Sequence, residues 1–138
     1  KILLSLYTSN NLDSIISIIT ENSSKLLNNN AKMNQELVFI LFNILNKTND
    51  MYLNEDFENL FDSRLMPSIF IIENIKNASL TNNNDKFLTY LVISINNKDW
   101  KEIHPNHLML ILHGLLSYKN TDITKNIIIE ILKNYKFI

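Results

Sequence analysis

Three histidines, His104, His107 and His113, are the residues of this chain with the most to offer chemistry. His104 and His107 lie three apart at the start of a helical pattern, so both rings could reach one metal ion. Glu102 or His113 would then have to supply a third ligand. The spacing matches no zinc signature, and each ring has a structural reading. His104 stands before Pro105, where it can cap a helix, and His113 lies among Leu and Ile as a core histidine with one hydrogen bond. No metal and no cofactor are therefore expected. Nucleophilic chemistry finds no support either. The chain has no Cys, and its single Gly excludes both a Gly-x-Ser-x-Gly elbow and the Gly-rich loops that cradle phosphates. The pairs Glu55/Asp56 and Glu58/Asp62 read as the solvated side of a short helix, because catalytic carboxylates need a cleft to shift their pKa values. No catalytic residue is assigned, and the chain is read as non-enzymatic.

Recognition is the remaining role for its larger side chains. Trp100, the one Trp, sits in the polar connector Lys98-Asp99-Trp100-Lys101-Glu102. Its indole can plug a gap between helix pairs or stand out as an interface anchor, and the plug is favoured since large aromatics are highly buried on average. The tail Tyr135-Lys136-Phe137-Ile138 can pack back on the last helix or receive a following element. Trp100, His107, Tyr118, Tyr135 and Phe137 are the candidate interaction residues. Gly114 falls in mid-helix, where Gly costs about 1 kcal/mol relative to Ala; close approach of a neighbouring helix is the expected reason for it.

The elements that must position these groups are helices. In Asp122–Tyr135 the residues Ile123, Ile127, Ile128, Ile131, Leu132 and Tyr135 share one face, and Lys125, Asn126, Glu130, Lys133 and Asn134 the other. Ile129 lies off the apolar face. Thr121 or Asp122 is the expected N-cap. Upstream, Pro105 is a natural first helical position, and the apolar residues from Leu108 to Leu116 leave almost no polar side, the mark of a helix buried between neighbours. The short Lys119-Asn120 connection makes these two helices antiparallel partners. A second pair precedes them. Pro67 opens a helix with Ile69, Phe70, Ile71, Ile72 and Ile75, the Thr81–Asn84 tract interrupts it, and Asn84 or Asp85 caps a helix with Phe87, Leu88, Leu91, Val92 and Ile95 on one face. Further helical segments are expected near Leu12–Leu27, at Glu36–Asn46 and at Glu55–Arg64, and Lys1–Tyr7 reads as the end of another. Strict alternation and hairpin dipeptides such as Asn-Gly are absent, so strands are not favoured despite the many Ile residues.

Composition sets the outer bounds. Of 138 residues, 46% are hydrophobic and 20% charged, which is globular rather than disordered. Asn makes up roughly a sixth of the chain; Asn, Ile and Lys have AT-rich codons, so part of this bias reads as genomic drift. The net charge of −1, without a basic run, disfavours nucleic acid and a polybasic membrane anchor. No apolar run approaches the ~20 residues needed to cross a bilayer. Absence of Cys fits a cytosol as well as a periplasm and fixes no compartment. The first residue is Lys, and the chain is read as one helical repeat-like domain, 1–138, the C-terminal fragment of a longer protein.

Pairs recur with a step of roughly 38 residues from Pro67 to Pro105, within the range of helical repeats. On Pro67–Asn97 and Pro105–Tyr135 the chain resembles the broad αα-superhelix class that includes tetratricopeptide and HEAT-like repeats. Gly114 stands where a tetratricopeptide first helix carries Gly, but Asn126 or Ile127 stands where Ala is expected, and no other pair has the Gly. The class implies a short α-solenoid of stacked antiparallel hairpins that binds or scaffolds a protein partner on one curved face. A closed helical bundle is the alternative fold. A helical accessory domain of a larger enzyme is the alternative function, and a nucleic-acid-binding repeat using Lys119, Lys125, Lys133 and Lys136 is the second.

Overall fold

The structure, a computed structural model, describes residues 63–118 and 120–135 together with Ser14, Ser17, Ile18, Glu21 and Ile40. Four α-helices follow one another in this part: α1 (Ile69–Leu80), α2 (Asn84–Ile95), α3 (Pro105–Leu116) and α4 (Thr121–Asn134), with a single 3-10 turn at Trp100–Glu102 between α2 and α3. The described part is all-helical, with no strand among its residues. The segments expected at Lys1–Tyr7 and Glu36–Asn46 lie outside the described residues, apart from a helical Ile40. Ser14, Ser17, Ile18 and Glu21 are helical within the Leu12–Leu27 segment. Of Glu55–Arg64 only Ser63 and Arg64 are described, and neither is helical.

Each helix starts where a short polar side chain can close on free backbone N–H groups. Ser68 caps α1, accepting from Ile71 N at 3.4 Å. Asn83 caps α2, accepting from Lys86 N at 3.1 Å. His104 Nδ1 accepts from Asn106 N at 3.1 Å and caps α3, with Pro105 as its first residue. Asn120 Oδ1 accepts from both Asp122 N and Ile123 N at 3.2 Å and caps α4. The caps of α2 and α4 thus fall one residue before Asn84 and Thr121, and α1 begins after Pro67, with Ser68 between them. At its other end α2 stops on Asn96 and Asn97, at φ 48° and 58°, and Asn82 bends the α1–α2 turn at φ 52°. These left-handed positions usually carry Gly; Asn is the residue that substitutes with least strain.

Packing follows from contacts between the two pairs. The Phe70 and Tyr90 rings meet edge to face, 6.1 Å between centroids, so the first turn of α1 lies beside the second half of α2 and the two are antiparallel. α1 also packs on α3. Thr124 of α4 donates to Leu115 O at the end of α3, 3.0 Å. At the far end, Asn134 Oδ1 accepts from Lys101 N in the 3-10 turn that precedes α3, 3.2 Å. α4 therefore runs back along α3, the antiparallel pair expected from the short connection. The shared core joins Ile75 and Ala78 of α1, Phe87 and Leu91 of α2, most of α3, and Ile128, Ile131 and Leu132 of α4. Ile40 is fully buried and Ile18 packs against the same core. Ile129, off the main face of α4, is buried as well.

Three apolar residues depart from the pattern. Ile69 is 79% exposed and Phe70 67%, and Val92, expected on the buried face of α2, stands out in solvent with Ile93. On α1 the buried stripe runs through Ile75 and Ala78, and Ile69 and Phe70 fall on its far side.

Candidate functional site

The connector between the helix pairs holds Trp100, and packing draws it inward together with His107 of α3 and Tyr135 at the end of α4. Trp100 is 8% exposed, Tyr135 2% and His107 1%. Trp100 begins the 3-10 turn, whose start is closed by Asp99 N donating to Glu102 Oε2 at 2.9 Å. Its side chain joins the hydrophobic core, and the Tyr135 hydroxyl donates to the Trp100 carbonyl oxygen at 3.5 Å. Arg64 ties the same turn from the other side, Nη1 donating to Lys101 O at 3.2 Å. Tyr118 is half-buried, its ring 6.2 Å from that of Phe87. Phe137 lies outside the described residues. Trp100, Tyr135 and His107 are thus buried, whereas Tyr118 keeps part of its surface in solvent.

The histidines are likewise divided among structural tasks. His107 Nε2 lies 2.9 Å from Ser94 Oγ in the core. The Ser94 hydroxyl gives its one proton to Leu91 O at 2.7 Å, so Ser94 Oγ accepts from His107 Nε2–H. Burial, then the charges of Lys98 and His104, pulls the His107 pKa from 6.5 down to about 4. The ring is neutral at pH 7, with its proton on the nitrogen that faces Ser94. His104 spends Nδ1 on the α3 cap. The two rings that could have shared a metal are occupied separately, and no group of three or more metal-ligating side chains occurs among the described residues.

A cleft of about 480 Å³ opens instead between the C-terminal half of α1 and one stripe of α3. Asn106, Leu110, His113 and Ser117 face it from α3, at successive spacings of four, three and four, with Met109 and Gly114 beside them. Lys76, Ser79 and Leu80 face it from α1. Burial lowers the His113 pKa. Gly114 has a second duty at this edge: a Cβ there would overlap the Phe87 ring. The close approach expected at Gly114 is therefore real, and its neighbour is an aromatic ring rather than a backbone. The cleft size falls among ordinary small-ligand sites. Sequence reading missed it, although the recurrence of Asn, His and Ser along an otherwise apolar helix was a visible signal.

Among the described residues no helix is long and apolar enough to cross a membrane. No family model, curated protein or solved structure matches the chain.

Proposed function

We propose that the chain is a non-enzymatic helical-repeat module, a short α-solenoid, that binds a protein partner through the apolar surface of the α1–α2 hairpin. The observation that carries this reading is the exposure of Leu65, Ile69, Phe70, Val92 and Ile93 around the open end of that hairpin. Large apolar side chains left in water at one end of a hairpin are costly, and such surface marks interaction sites. Phe70 is braced edge-on by Tyr90, and Lys86 Nζ lies 5.9 Å from the Tyr90 ring centre, giving an aromatic anchor beside a cation. Such an anchor is the usual centre of a binding hot spot. The stacking of α1 against both α2 and α3 supports the solenoid, since a hairpin of this kind buries its apolar side on its neighbour.

The test is retention of a stoichiometric partner by the full-length protein from its source lysate. Phe70→Asp and Val92→Asp should abolish retention while leaving the helical circular dichroism unchanged, as both side chains face solvent. Retention that survives both substitutions, or no partner across a range of salt, overturns the reading.

A further inference from the structure

We propose that the cleft between α1 and α3 binds an organic monocarboxylate, its acid group on Lys76 and its apolar body on Leu80, Met109 and Leu110. The cleft is separate from the apolar surface around Phe70, and the inference does not depend on that surface binding a partner. Among the described residues its lining carries one full charge, the Lys76 ammonium, and no acidic side chain. An anion is therefore favoured over a neutral or cationic ligand. Among the described residues Lys76 is held by Glu73 alone, one turn away at 3.3 Å, in an exposed pair. Pairs of this kind are weak, so an incoming carboxylate can take over the ammonium. Beyond Lys76 the lining is mostly apolar, and Met109 adapts readily to the shape of an aliphatic body. Asn106, His113 and Ser117 supply hydrogen-bonding groups along the α3 wall, enough to orient a ligand.

The experiment is an NMR titration of the protein with octanoate, and in parallel with octanol and octylamine, which keep the chain and change the head. Octanoate should bind saturably, with shifts centred on Lys76, Met109 and His113, at about tenfold higher affinity than octanol. Lys76→Met should erase the preference for octanoate over octanol, and Lys76→Arg should keep it. The titration midpoint of His113 should also lie higher with octanoate bound than with octanol bound, since both chains bury the ring and only octanoate brings a negative charge. Equal binding of the three amphiphiles, shifts scattered away from the cleft, or a preference that survives Lys76→Met would overturn the proposal. The comparison of amphiphiles on the unaltered protein stands even if a variant fails to fold.

Discussion

Gly114 has no side chain because the ring of Phe87 occupies the space where its Cβ would be. The two residues come from different helix pairs, α2 and α3, and their contact fixes how closely the pairs approach. Helix propensity alone predicts that Gly114→Ala stabilises α3 by about 1 kcal/mol. Overpacking against Phe87 costs about 1–3 kcal/mol and should win. The gap around the two residues is too small for a water molecule, so the ring has little room to retreat. Urea denaturation should show Gly114→Ala destabilised, and Phe87→Leu should convert the same substitution to neutral or stabilising. A double-mutant cycle without coupling would show that Gly114 is there for another reason.

His107 makes stability depend on pH. Its pKa is 6.5 when exposed and about 4 in the fold. Above pH 6.5 both states hold the ring neutral and the group adds no pH dependence. Between 6.5 and 4 the unfolded chain binds a proton that the folded one refuses, so stability falls as the pH falls. Below 4 both are protonated and the effect levels off. After allowance for solvent screening, the loss is on the order of 2 kcal/mol. Unfolding measured from pH 7.5 to 4, with His107→Gln as reference, should isolate this slope. A wild-type curve parallel to that of the variant would refute the assignment.

The helices were legible because their apolar residues recur at helical spacing, and α3 in particular announced its burial by having almost no polar side. Cap positions were less legible. In Asn82-Asn83-Asn84 three residues have nearly the same capping chemistry, and only backbone geometry decides that Asn83 is the cap. Spacing also names a stripe without saying which neighbour covers it. Ile69 and Phe70 share the chemistry of Ile75 but not its neighbours, which is why they remain exposed. The same limit applies to Trp100 and Tyr135, whose burial depends on α4 returning to the connector. The cleft depends on the spacing between α1 and α3, a distance no single segment encodes.

Asn bias read partly as genomic drift has a conformational use at Asn96, which ends α2 at φ 48°. A side chain with a Cβ but no local hydrogen-bonding ability should be strained there by about 1 kcal/mol. Asn96→Ala should lower the melting temperature accordingly. Asn96→Gly removes the steric cost but frees the unfolded chain, and the two effects should nearly cancel. Should Ala and Gly behave alike, left-handed geometry is not what Asn96 supplies.

Thr124 carries a buried side-chain bond that links the first turn of α4 to the last turn of α3. Its hydroxyl is fully buried and donates to Leu115 O at 3.0 Å, with Asn120 O at 3.3 Å as a second acceptor. Thr124→Val keeps the shape and removes the donor. Leu115 O still accepts from Tyr118 N at 3.1 Å, and Asn120 O from Thr124 N at 3.3 Å, so neither carbonyl is orphaned. The cost should be about 1 kcal/mol, the net value of a hydrogen bond, rather than the larger penalty of an unpaired buried group. Thr124→Ala also vacates the methyl volume and should cost about 2 kcal/mol. Chemical denaturation of the two variants orders them directly. A Thr124→Val protein as stable as the parent would mean that the α3–α4 corner is held by apolar packing alone.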